Sequence, residues 1–200
     1  ETSIADYRIS PDGTAVAFVA PEPMDPARKK AEEAGYSQGV FEEDWLPTRV
    51  WVAEIAGAGS GEAAAEIVEP RALALEGSAF HVRWSPDGEL LAVDLAPTPL
   101  IDDRYMHRRV HIVSASSGEV RARLDNPGKL GNFEFSPDGR HLAMISAADP
   151  NDPADGRLMV APTAGGANIT GTSSYNTTTR TIPLTPNKAL ANNTNYTATL

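Results

Sequence analysis

Ser10-Pro11-Asp12-Gly13 returns as Ser85-Pro86-Asp87-Gly88 and again as Ser136-Pro137-Asp138-Gly139. Proline presets φ for the first turn position, aspartate can bond nearby backbone N–H groups, and glycine accepts positive φ, so each copy reads as a tight turn. Strand-like runs flank every copy: Tyr7-Arg8-Ile9 and Ala15–Val19, Phe80–Trp84 and Leu90–Leu95, Phe133-Glu134-Phe135 and His141–Ile145. Alternation and β-branched or aromatic content favour strand over helix in all of them.

A third strand is expected after each hairpin, at Arg49–Ile55, Arg109–Val113 and Arg157–Ala161. Glu119–Leu124 adds an outer fourth strand to the second unit, after a turn at Ser116–Glu119. Four antiparallel strands per unit make the blade of a β-propeller. The expectation is an all-β chain: a partial β-propeller of about three four-stranded antiparallel blades over residues 1–166, followed by a Thr/Asn-rich β tail at 167–200. The blades fall at about 1–75, 76–126 and 127–166. Residues 21–47 read as an insertion between the second and third strands of the first blade. Its Asp25-Pro26 start and Ala- and charge-rich run to Ala34 predict a short surface helix. Pro11, Asp12, Gly13, Pro86, Asp87, Gly88, Pro137, Asp138 and Gly139 are structural turn residues; an aspartate that recurs with its turn is not a catalytic acid. Phe18, Trp84 and Phe135 are expected to pack between neighbouring blades.

Composition narrows the function classes. A net charge of −10 speaks against a nucleic-acid partner, which needs a basic face. There is no cysteine, which excludes disulfides and thiolate metal sites. No apolar run approaches the ~20 residues of a membrane span. The chain begins at Glu1 rather than Met, as after loss of a leader or as a piece of a longer protein. The charge is uneven: Ala167–Leu200 holds Arg180 and Lys188 and no acidic residue. Gly57–Glu62 reads as a flexible hairpin loop, because it lacks the Gly-Lys-Ser/Thr ending of a phosphate loop.

The three turns, with an aromatic just before two of them, resemble the repeats of TolB-type propellers. They also resemble the N-terminal propeller of prolyl-oligopeptidase-family serine peptidases of the acylaminoacyl and dipeptidyl type. Glu42-Glu43-Asp44-Trp45-Leu46-Pro47-Thr48-Arg49-Val50-Trp51 is similar to the end of that family's first-blade insertion. The resemblance implies a propeller that caps a hydrolase domain and limits substrates to short peptides. That hydrolase carries a Gly-x-Ser-x-Gly elbow, and none occurs here. The expectation is therefore a non-catalytic segment, with no catalytic, cofactor or metal residues of its own. Its partners would be the peptidase domain or further blades, since such propellers have about seven.

Glu42 and Glu43 carry two readings. In dipeptidyl-peptidase relatives a propeller Glu pair holds the substrate α-amine; in the acylaminoacyl type the same residues simply lead into the next strand. Asp102, Asp103 and His107 could ligate a divalent ion, or could face Arg104, Arg108 and Arg109 as a solvated loop. Asp149, Asp152 and Asp155 approach a calcium-loop spacing but lack its Glu, and Pro150 and Pro153 interrupt.

Leu184–Leu200, with Ser173–Leu184 before it, resembles the last strands of bacterial Ig-like domains of surface and S-layer proteins. It includes Thr185-Pro186 and Thr194-Asn195-Tyr196-Thr197. That resemblance implies an alternative: a cell-surface or assembly protein whose open blade edges and tail pair with neighbouring subunits. Asn168, Asn176, Asn192 and Asn195 begin Asn-x-Thr triplets. They are glycan sites in a eukaryotic secretory protein and chance in a bacterial Thr/Asn-rich segment. Localisation follows the same fork: cytoplasmic for the peptidase reading, extracytoplasmic or cell-surface for the tail reading.

Overall fold

The computed structural model describes residues 3–40, 42–57, 66–151, 156–167, 169–173, 178–179 and 184–186. It is an all-β molecule of three antiparallel sheets. The first sheet holds β1 (Asp6–Ile9), β2 (Ala15–Pro21) and β3 (Thr48–Ala56); β4 (Glu66–Ile67) and β5 (Arg71–Ala72) both pair with β3. The second runs in the order β6 (Ser78–Trp84), β7 (Leu90–Ala96), β8 (Arg109–Ser114), β9 (Val120–Arg123). The third is β10 (Leu130–Phe135), β11 (His141–Ala147), β12 (Gly156–Pro162), β13 (Ile169–Ser173) and β14 (Leu184–Pro186). The Thr/Asn-rich segment thus supplies the two outer strands of the third sheet, through Val160↔Ile169 and Gly171↔Pro186. Residues 187–200 and all four Asn-x-Thr asparagines lie outside the described residues.

The turn tetrapeptides build one hydrogen-bond network three times. The serine hydroxyl donates to the aspartate at 2.6, 2.5 and 2.6 Å. It also accepts from the backbone of Ala15, Leu90 and His141 at 2.9, 2.9 and 3.0 Å. The same aspartate accepts the amides of Thr14, Glu89 and Arg140, each at 3.0 Å. Gly13, Gly88 and Gly139 take φ of 75°, 74° and 70°, where a β-carbon would be strained. These hydrogen bonds favour the ionised form, so Asp12, Asp87 and Asp138 are all held below the usual carboxylate range. The turns also line up: a β-carbon on Gly88 would lie 3.8 Å from Pro11 Cδ, and one on Gly139 3.5 Å from Pro86 Cδ.

Apolar patterning stacks the sheets. One core joins Ala17, Val19 and Val50 of the first sheet to Val82, Leu91, Val93, Leu95 and Val113 of the second. The other joins Ala92, Val110 and Ile112 of the second sheet to Phe133, Phe135, Leu142, Met144, Met159 and Ala161 of the third. Strand β7 therefore feeds both cores with alternate residues, and Leu91–Ala96 is buried without a break. Each large aliphatic side chain buried in this way contributes about 1.5–3 kcal/mol. Trp84 packs on the first core and donates its Nε1 hydrogen to Arg8 O at 2.9 Å. Phe18 departs from expectation. The strand alternation that sends Ala17 and Val19 inward sends Phe18 to the outer face of the first sheet, where it stacks on Trp51 with ring centroids 6.4 Å apart.

Candidate functional site at the insertion-bearing end

Every sheet has its short Ser-Pro-Asp-Gly turn at one end and a longer connection between its second and third strands at the other. The connections from β2 to β3, β7 to β8 and β11 to β12 all leave from that second end. Long loops on a rigid scaffold are where binding residues concentrate. In the first connection, helix α1 (Pro26–Glu33) forms where the sequence predicts one. Asp25 caps it by accepting from Ala27 N at 2.8 Å and Arg28 N at 3.2 Å, and proline starts it. The second connection holds α2 (Ile101–Met106) in place of the expected loop, a helix without a side-chain N-cap.

The densest cluster centres on Asp94, which is fully buried. Its carboxylate accepts from His81 N at 2.5 Å, His81 Nδ1 at 2.9 Å and Arg108 Nη1 at 2.6 Å. The backbone explains the geometry. The β6–β7 register shifts between Ala79 and Val82, so Phe80 and His81 share a bulge opposite Asp94. That bulge frees the His81 amide to be bound by the Asp94 side chain. Burial pushes the Asp94 carboxyl up, yet the hydrogen bonds from His81 and the charge of Arg108 outweigh it, and the pKa lies below the ordinary value. Arg108 extends the cluster: it also donates to Leu130 O in the third sheet and to Arg104 O. The Arg104 and Arg108 guanidiniums lie 5.6 and 5.9 Å from the Phe80 ring centre.

With Asp94 taking the Nδ1 hydrogen, His81 presents Nε2 as an acceptor on a side chain that is 42% exposed. This is a base oriented by a carboxylate. Acyl transfer would further need a nucleophile on Nε2, and among the described residues no hydroxyl is bonded there. The arrangement orients His81 and, through Arg108, ties the second sheet to Leu130 of the third.

The sequence-predicted candidates fall around this cluster. Asp103 does not pair with Arg104, Arg108 or Arg109, as the loop reading had it. Its oxygens accept from His107 Nδ1 at 2.8 Å and Thr98 Oγ1 at 2.7 Å. The reason is helical: α2 places His107 four residues on, one turn above Asp103. Asp102 is exposed on the same helix. Among the described residues, no three His, Asp or Glu side chains come together as a metal site. Asp149 accepts its neighbour Asn151's amide at 2.8 Å; Asp152 and Asp155, like residues 58–62 of the glycine-rich loop, lie outside the described residues.

Glu42 and Glu43 are exposed in the loop that leads into β3. Glu42 has φ of 61°, an uncommon conformation for a residue with a β-carbon. Their neighbour Asp44 is the anchored acid: it accepts from Val40 N at 2.6 Å and pairs with Arg28 of α1 at 3.4 Å. Further along, Arg49 bonds Glu22 at 2.6 Å, Gly77 O at 2.6 Å and Leu75 O at 3.0 Å. Both roots of the insertion and the crossing to the second sheet are held by that one guanidinium. Asp94, His81 and Arg108 were missed by motif reading. The available signal was an acid in the middle of an apolar strand, where the equivalent positions of the other units hold Val19 and Ile145.

A second ionic line crosses the sheets where β6 lies against β1 and β10. Arg83 pairs with Asp6 of the first sheet at 2.9 Å and Glu134 of the third at 3.3 Å, and lies 5.6 Å from the Phe133 ring centre. Asp6 also accepts the edge amide of Val82 at 3.1 Å.

No protein family matches the chain, and no curated protein matches it. Among solved structures, a eukaryotic initiation factor is 14% identical over 83% of this chain and 31% of that one, with a TM-score of 0.47. Hydrazine synthase of Kuenenia stuttgartiensis is 18% identical over 82% of this chain and 40% of its own, also with a TM-score of 0.47. The chain thus spans less than half the length of either.

Proposed function

We propose that the three sheets are consecutive blades of a β-propeller, and that the chain is a non-catalytic propeller segment of the prolyl-oligopeptidase type. In this role it docks on and gates a hydrolase domain rather than acting on substrate itself. The observation that carries the reading is the threefold unit. The same hairpin turn, the same meander order and the same face-to-face stacking recur, while the connections at one end differ. Uniform stacking with variable loops on one face suits a lid whose loops meet a partner domain. The peptidase side of the reading is supported by the segment from Glu42 to Trp51, whose Arg49 roots the insertion.

The test is direct. The purified chain is offered acylated and dipeptidyl amide substrates and an active-site serine probe. No turnover and no labelling are expected; turnover abolished by the probe would overturn the non-catalytic reading.

A second reading, assembly with neighbouring subunits, is favoured by one observation: Ile145, beside Leu158 on the outer face of the third sheet, is 39% exposed. Light scattering over a concentration range separates the two, since a strict monomer would remove the assembly reading.

A further inference from the structure

The repeat lets each sheet predict what should cover the others. Counting from the turn serines, Ala17, Ala92 and Ala143 are equivalent, as are Val19, Asp94 and Ile145. The strand registers add their cross-strand partners: Val50, Val110 and Leu158, then Val52, Ile112 and Val160. In the first sheet, Ala17, Val19 and Val50 have 0% exposure because the second sheet covers them. In the second sheet, Ala92, Asp94, Val110 and Ile112 also have 0% exposure, on the side that meets the third sheet. In the third sheet the same four positions are Ala143, Ile145, Leu158 and Val160. They are all apolar, and each is half-buried or exposed.

The opposite faces obey the same rule. Leu91, Val93 and Val113 of the second sheet receive the first; Leu142, Met144 and Ala161 of the third receive the second. Their equivalents in the first sheet are Val16, Phe18 and Ala53, on the outer face where Phe18 stacks on Trp51. Among the described residues, the first sheet thus carries an outer face of one kind, on which Val16 and Ala53 are themselves buried, and the third sheet an outer face of the other kind. Each is of the type that, twice within the chain, packs against the other.

We infer that the outer face of the third sheet docks on the outer face of the first sheet of a second copy of this chain, head to tail. The inference rests on the assembly reading above and deepens it by naming the surfaces. Ala143, Ile145, Leu158 and Val160 form an apolar centre bordered by Glu134, the cross-strand partner of Ala143, as Arg83 borders Ala92 on the second sheet; an apolar centre with a charged rim suits an interface. The contact joins two different faces, so it is heterologous and closes a ring or extends a filament.

The experiment is sedimentation and light scattering of the whole chain across concentrations, with variants I145E and F18E. The wild type is expected to exceed monomer mass, and each variant to fall at least two-fold, to monomer. Mixing the variants is the decisive arm. I145E retains an intact first-sheet face and F18E an intact third-sheet face, so the mixture should form a one-to-one dimer and stop. Thermal melts confirm folding, with A143K and I55K replacing any variant that is unfolded. Wild-type association that survives both substitutions would overturn this inference alone and assign assembly to the strand edges. A mixture that stays monomeric would overturn it too. A wild-type monomer at every concentration would overturn both the inference and the assembly reading.

Discussion

At the turn end of the sheets, Asp12, Asp87 and Asp138 do the same work with the same atoms. At the insertion end the three sheets share little: a capped helix and Arg49 in the first, Asp94 and its donors in the second, a short connection after Ile145 in the third. The turn end is built by local hydrogen bonds within six residues, so each copy stands on its own. The insertion end is built by contacts between sheets, such as Arg108 to Leu130 and Arg49 to Gly77. Repetition thus sets the scaffold, and departures from it mark where the units have individual tasks. Asp94 is the sharpest departure, because a charge stands where its equivalents are Val19 and Ile145.

That contrast can be broken most severely at Asp94. D94A leaves Arg108 and the His81 amide without their anion, and should cost about 3–5 kcal/mol in urea unfolding. The double variant D94V/R108M restores the apolar pattern and should recover most of the loss. A cost as large as that of D94A in the double variant would show that the charge pair is not the cause.

Next comes a pair of glycines, one from each end. A β-carbon on Gly128 would lie 2.0 Å from Asp149 O and 2.8 Å from Ala147 Cβ, with rigid backbone on one side. G128A should cost about 2–3 kcal/mol through that overlap. A β-carbon on Gly88 would make only an ordinary 3.8 Å contact with Pro11 Cδ, leaving the positive φ as the cost, so G88A should cost about 1 kcal/mol. Equal costs would mean that the two ends do not differ in how tightly they are built.

The pH dependence is a smaller effect. Burial lowers the pKa of His111, and its neighbour Arg123 adds to this against a hydrogen bond to Arg109 O. The unfolded chain therefore takes up that proton first, near pH ~6.5. Stability is full above that value and declines as pH falls toward the folded pKa. Comparing urea midpoints at pH 7.5 and 5.5, H111N should show a flatter change than the wild type; an unchanged slope would remove His111 as the source. The turn aspartates and Asp94, also held low, keep their full stabilisation at both pH values and lose it only as pH falls below the ordinary carboxylate range.

The smallest effect is expected at Glu42 and Glu43. Both are exposed and project from the loop end, so E42Q/E43Q should leave the unfolding midpoint within about 0.5 kcal/mol of wild type.

The three hairpins, the third strands and α1 were legible because turn chemistry, alternation and capping are local. Helix α2 was not. Its N-terminal flank Leu100 offers no side-chain cap, and six residues are too few to show a period. The outward turn of Phe18 was readable in principle, since it alternates with Ala17 and Val19; its aromatic character drew it to the core instead. The Asp94 cluster was hidden because its partners lie 13 and 14 residues away and meet only through a bulge.

The double burial of the second sheet has a kinetic consequence. The first and third sheets can each peel from one neighbour, exposing β2 or β11 while the rest stays folded. Strand β7 has no such route, because it is hydrogen-bonded on both edges and packed on both faces. Its amides should exchange with solvent deuterium only when the whole stack opens, and those of Ala92 and Val93 should report the global opening free energy directly.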